Sequence, residues 1–292
     1  MSETTTNRTN QSATTATLAG YEIPRLGMGT MALAIEGRPS NRNQAIETIH
    51  AALDAGVRYL DTAWSYYLPS APGTGEPEDM GYGEYLVRDA LHSWHGPKDQ
   101  VLVATKTGWL RTLDGNGNYG WQADARPETM IANAKESARR LGVDTLDLLY
   151  SHCNDPQVPY EDQMGALKQL VDEGVAKAVG ISRIDNADIE TAHNILGDRL
   201  VAVQNQFSPV HRDPEHTLET SVWLLSAGRR SVDSLTRSTS ICSTGSAKSP
   251  RFTTAPTSAS RSRGNLRNTN ICSRFPRPET RRRFRTRSKP AN

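Results

Sequence analysis

Short apolar runs and segments with helical spacing take turns along residues 20–215 of this 292-residue chain. The runs are rich in Val, Ile and Leu: 23–30 (IPRLGMGT), 57–63 (VRYLDTA), 101–107 (VLVATKT), 146–152 (LDLLYSH), 176–182 (AKAVGIS) and 201–208 (VAVQNQFS). Near-continuous apolar character over so few residues predicts strands covered on both faces, as in a parallel sheet. Between them, 43–55, 81–91, 126–141, 160–173 and 186–196 carry helix-period patterns, the first through Ala45, Ile46, Ile49, Ala52 and Leu53. Gly56, Gly142, Gly174 and Gly197 stand just past four of these segments as helix stops, and Pro127 sits in the first turn of another.

Six βα units in series imply a parallel α/β sheet, and right-handed crossovers leave a doubly wound sheet or a barrel. Three runs end in or just before ionisable groups: Asp61 with Tyr66 beyond it, Lys106, and His152. Chemistry-bearing groups delivered to the same end of successive strands, with no evident reversal of order, favour a (β/α)8 TIM barrel of which six units are readable.

Composition divides the chain. Residues 1–216 carry 18 basic and 29 acidic side chains, the balance of an ordinary acidic protein with no attraction for nucleic acid. Residues 217–292 carry 16 basic and three acidic ones, with 25 Ser and Thr among 76 residues and no sustained period. The expected organisation is a disordered tail over 1–19, a barrel over 20–216, and a basic segment over 217–292 that is disordered or translated out of frame. The out-of-frame reading is testable on paper: shifted codons for 262–276 permit a helix end followed by a buried strand. The tail has no apolar core of a signal peptide, and no run approaches the ~18 apolar residues that span a bilayer. Cys153, Cys242 and Cys272 show no metal spacing and form no even set, which fits a reducing compartment. The expectation is a cytoplasmic protein without membrane association, its oligomeric state open with a monomer favoured. The Arg-rich end lacks Gly-Arg repeats or a folded motif, so nucleic acid is a poor candidate partner.

The strings 56–66 (GVRYLDTAWSY), 104–106 (ATK), 148–152 (LLYSH), 179–182 (VGIS, after Gly174) and 203–208 (VQNQFS) resemble the aldo-keto reductase family. The resemblance covers about residues 21–212. It implies reduction of an aldehyde or ketone by NADP(H), with NAD(H) as the alternative, on a (β/α)8 barrel. Hydride delivery to a carbonyl carbon builds charge on oxygen, and the resemblance makes Tyr66 the general acid that protonates it. A free tyrosine has a pKa near ~10, and a lysine beside it favours the phenolate. Lys106 has that role, Asp61 holds Lys106, and His152 donates to the carbonyl oxygen as an oxyanion-hole group does.

By the same resemblance Ser182, Gln204 and the residue at Arg183 hold the nicotinamide carboxamide, and Phe207 stacks on the ring. Many relatives have Asn at the position of Arg183, and Arg cannot accept a hydrogen bond. The segment Gly27-Met-Gly-Thr30 is no dinucleotide fingerprint, because the third glycine is missing and no helix opens behind it. The resemblance places this first strand at the pocket, with Gly29 and Thr30 at the cofactor. Met28, Trp64, Tyr67 and Trp109 are the expected substrate-pocket residues, and 68–83 is either a lid or a passive loop. The competing readings are an inactive family member, a non-enzymatic nucleotide sensor, and a nucleic-acid binder acting through the basic end.

Overall fold

The computed structural model describes residues 15–72 and 79–208. A hairpin comes first, β1 (Thr15–Leu18) pairing antiparallel with β2 (Tyr21–Pro24). Then follow β3 (Met28–Gly29), α1 (Arg42–Asp54), β4 (Tyr59–Asp61), α2 (Tyr82–Ser93) and β5 (Leu102–Thr107). A second hairpin, β6 (Trp109–Leu113) with β7 (Tyr119–Ala123), interrupts the alternation. The remaining elements are α3 (Pro127–Leu141), β8 (Leu146–Ser151), α4 (Tyr160–Asp172), β9 (Ala176–Ser182), α5 (Asn186–Leu196) and β10 (Leu200–Gln204).

Strands β3, β4, β5, β8, β9 and β10 form one parallel sheet in that spatial order. A doubly wound sheet reverses its strand order partway, and this one does not. The sheet is also strongly curled. Strands β4 and β10 stand four spacings apart, about 19 Å on a flat sheet. Yet the Gln204 side chain of β10 donates to Asp61 of β4 at 2.9 Å. The described strands are therefore a barrel wall.

Register and burial separate two faces. Leu60, Leu149, Val179 and Ile181 point outward and pack with Ile49, Leu53, Leu86, Leu167 and Ile189 of the helices. Tyr59, Leu102, Ala104, Leu148, Tyr150, Ala178 and Ala202 point inward, where Leu18 and Ile23 of the first hairpin join them. Helix ends follow local chemistry. The Asn41 side chain accepts from the Asn43 N–H at the start of α1, Pro127 opens α3, and Gly142 closes α3 with φ +72°.

Three sequence expectations need correction. The tail expected over 1–19 contains β1, because Ala16 and Leu18 have buried positions and the turn at Ala19–Gly20 folds them back onto β2. The strand expected over 23–30 is two pieces, β2 in the hairpin and β3 in the barrel. The chain passes between them through exposed Leu26 and Gly27, whose α-carbon lies so close to the Tyr59 ring that a Cβ would overlap it. The second hairpin was not anticipated at all, although its signal is present. Asp114-Gly-Asn-Gly117 is turn chemistry between two short runs; the Asp114 carboxylate accepts from the N–H groups of Asn116 and Asn118, and Gly117 has φ +81°. The expected basic segment 217–292 lies outside the described residues, as do residues 73–78 of the expected lid. Of the described ends of that loop, Asp79 accepts from the Leu68 N–H and from Arg38, and Tyr82 and Gly83 already belong to α2.

Candidate active site

Asp61 ends β4, Tyr66 lies in the loop behind it, Lys106 lies near the end of β5, and His152 follows β8. The curl of the wall brings all four together, each nine-tenths or more buried. The Lys106 ammonium is fully used: it forms an ion pair with Asp61 Oδ1, donates to the Thr62 carbonyl at 2.8 Å, and reaches Tyr66 Oη at 3.4 Å. Three donors meet three acceptors, as a buried ammonium requires. Tyr66 Oη therefore accepts a hydrogen bond from Lys106, and the phenol stands directly against the cation. The Tyr66 and His152 rings stand edge to face with centroids 5.7 Å apart.

Electrostatics divide the labour. Burial pulls the Lys106 ammonium down, but the carboxylate of Asp61 and the neighbouring Tyr66 outweigh it, and its pKa lies above the ordinary lysine value. Lys106 is a permanent cation at neutral pH. His152 goes the other way. Burial, then the charges of Lys106 and Arg183, hold it well below 6.5, so it is a neutral imidazole. Among the described residues its Nδ1 has no hydrogen-bond partner. A neutral imidazole can donate one hydrogen bond without adding a second cation to the site.

On the far side of Asp61, Ser182 and Gln204 are register partners at the ends of β9 and β10. A carboxylate only accepts, so the NH₂ of Gln204 faces Asp61 and its Oε1 faces away. Buried Ser182 and the outward Oε1 are a donor-and-acceptor pair that fits a carboxamide. Arg183 follows with φ +58°, uncommon for a residue with a side chain, and its guanidinium lies 4.5 Å over the Trp109 ring. Its N–H donates to the Gln204 carbonyl at 3.1 Å. Gly29 is exposed and level with Asp61, and Phe207 is half-buried after β10.

Four expected residues sit elsewhere. Met28 pairs with Leu60 and packs into the layer between sheet and helices, so it faces away from the barrel interior. Thr30 is fully buried, and its N–H and hydroxyl both donate to the Asp61 carbonyl. It ties β3 to β4 and presents nothing to a cofactor. Tyr67 is fully buried against Trp64 and donates to the Arg111 carbonyl; loss of solvent pushes its phenol up to about 12. Trp64 lies under the Arg140 guanidinium, which pairs with buried Glu84 between α2 and α3. Both aromatics back the wall rather than line the pocket.

Trp109 does stand at the site, its ring 4.7 Å from that of His152. The second hairpin supplies a partner that the sequence reading missed. Trp121 stacks on Trp109 at 4.7 Å and meets the Tyr66 ring edge-on at 6.4 Å. Tyr66, His152, Trp109 and Trp121 thus close a ring of aromatic contacts. Arg111 of β6 lies over Trp121 at 4.2 Å and pairs with Glu36, tying the hairpin to the loop after β3. The turn signal at 114–117 would have revealed this, because it brings residues 109 and 121 onto adjacent strands. Cys153, which follows His152, is free, and burial pushes its thiol up to about 11.

The sequence profile of the Aldo/keto reductase family matches residues 25–224. An uncharacterized oxidoreductase of Schizosaccharomyces pombe, C215.11c, is 31% identical over 210 residues, covering 71% of this chain and 61% of that protein. The aldo-keto reductase YhdN of Bacillus subtilis is 31% identical over 204 residues, covering 70% of this chain and 54% of that protein. Among solved structures, the glycerol dehydrogenase AKR11B4 of Gluconobacter oxydans superposes with TM-score 0.61 at 25% identity, covering 72% of this chain and 60% of that one. The chain thus spans between half and two thirds of the length of these relatives.

Proposed function

The chain belongs to the aldo/keto reductase family, and from that membership we propose that it reduces a small aldehyde or ketone with NADP(H), Tyr66 being the proton donor. The observation that carries this reading is the convergence of Asp61, Tyr66, Lys106 and His152 at one end of the barrel wall. Ser182 and the Oε1 of Gln204 would hold the nicotinamide carboxamide at the side of that cluster. Bound there, the reduced nicotinamide supplies the hydride that adds to the carbonyl carbon.

The residues of the chain do the rest. Neutral His152 donates a hydrogen bond to the carbonyl oxygen and polarises it. Tyr66 donates its proton to the same oxygen as charge builds there, so hydride and proton together give the alcohol. The Lys106 cation stabilises the phenolate left behind, and Asp61 keeps that cation aimed. Trp109 and Trp121 exclude water from the reacting oxygen. Preference for NADP(H) over NAD(H) rests on family resemblance. No described helix is long and apolar enough to cross a membrane; a cytoplasmic site of action is part of the same proposal, supported by the free thiol of Cys153.

Steady-state oxidation of NADPH by the full chain, measured on a panel of small aldehydes and ketones, tests the reading. Turnover is expected with the wild type, and Tyr66→Phe should lower kcat by about 10²–10⁴. Turnover unchanged in Tyr66→Phe would overturn the assignment of the proton donor.

A further inference from the structure

Two tyrosines lie beneath the converging side chains, and the reduction just described calls on neither. Tyr59 of β4 and Tyr150 of β8 are buried inside the wall. Tyr59 Oη lies 3.2 Å from Asp61 Oδ2 and 3.4 Å from Tyr150 Oη. A carboxylate only accepts, so Tyr59 must give its proton to Asp61 and take its own hydrogen bond from Tyr150. The direction is one-way: Tyr150 to Tyr59 to Asp61. Both rings have room only because a glycine faces each. A Cβ at Gly27 would overlap the Tyr59 ring, and one at Gly180 would overlap the Tyr150 ring.

Asp61 is therefore gripped on every side, by Lys106 at Oδ1 and by Tyr59 and Gln204 at Oδ2. We propose that Tyr59, backed by Tyr150, is a positioning residue that fixes Asp61 and, through the Asp61–Lys106 pair, sets the acidity of Tyr66. The proposal rests on Tyr66 being the proton donor. Donors at Oδ2 draw carboxylate charge away from Oδ1. Lys106 then keeps more of its field for the Tyr66 oxygen. Without the Tyr59 hydroxyl, Asp61 neutralises Lys106 more completely, and the Tyr66 phenolate loses support. Burial keeps both tyrosines protonated, as the one-way chain requires: each phenol is held above the ordinary value, Tyr59 well above it. Among the described residues, the other ionisable groups facing Tyr66 include Lys106 from β5 and His152 after β8, with Arg183 beyond Trp109 and Arg111 on the far side of Trp121.

The test is the titration of Tyr66 itself, read by NMR on the full chain with tyrosine labelled at Cζ. The Tyr66 resonance is assigned by its loss in Tyr66→Phe. In Tyr59→Phe, which keeps the ring against Gly27, the Tyr66 titration should move up by about half to one pH unit. Tyr150→Phe should move it the same way by less, and it decides the matter if Tyr59→Phe does not fold. A Tyr66 titration that coincides with wild type in the folded variants would overturn the proposal. The readout needs neither cofactor nor substrate. Absence of NADPH turnover in the wild type would therefore count against the proposed reaction and leave this result to stand or fall separately.

Discussion

His152 and Lys106 sit side by side in the same buried site and respond to it in opposite ways. Lys106 has a carboxylate to pair with and stays charged; His152 faces two cations and stays neutral. That contrast has a consequence for stability. An unfolded histidine takes a proton as pH falls through about 6.5, and folded His152 does not. The unfolded state then binds more protons, so stability is present above that pH and is lost as pH falls below it. Urea unfolding measured in steps below neutrality should show His152→Gln less sensitive to acid than wild type; equal slopes would sink the assignment. The four central residues were legible in the sequence because each occupies or closely follows the end of an unmistakable strand. Met28 was not, because a two-residue strand has no alternation to read and its face is decided by its register with Leu60. Thr30, Trp64 and Tyr67 failed for a related reason: a loop residue's direction depends on what packs behind it, here the Asp61 carbonyl, Arg140 and Arg111.

At the scale of elements, the start of α2 is what holds Tyr66 in place. The Gly83 N–H donates to the Tyr66 carbonyl at 2.9 Å, and a Cβ at Gly83 would stand 2.8 Å from that oxygen. Gly83→Ala should push the Tyr66 loop outward, because the new Cβ would also stand 2.9 Å from the Cβ of Tyr66. A displacement of ~1 Å costs about 10²-fold in rate, so kcat should fall by that order in a protein whose circular dichroism is unchanged. Wild-type kcat in Gly83→Ala would show that α2 does not set the geometry. The five helices were readable to within about two residues because apolar spacing and terminal glycines agree with the final packing. The two hairpins were harder. The first lies in a Thr-rich stretch with little apolar signal, and the second hides in what the βα alternation treats as one loop.

For the whole molecule, the parallel strands and the loops leaving their ends bring together Asp61, Tyr66, Lys106, His152, Ser182 and Gln204, and the second hairpin adds Trp109 and Trp121. The hydrogen bond from Gln204 to Asp61 closes the circuit between the carboxamide side and the proton side of the site. Family membership was legible from short motifs, because those motifs are the strand ends that meet at the barrel mouth. The substrate was not, since the wall opposite His152 is built by a hairpin whose two tryptophans are twelve residues apart in sequence and adjacent only once folded. The most direct test of the account is to supply NADPH carrying deuterium at its transferable position, with a small aldehyde, and to follow the label by mass spectrometry. The account requires the full chain to deliver deuterium to the carbinol carbon of the alcohol, with Tyr66→Phe slower by about 10²–10⁴. No label in the alcohol, or label delivered equally fast by Tyr66→Phe, would contradict it.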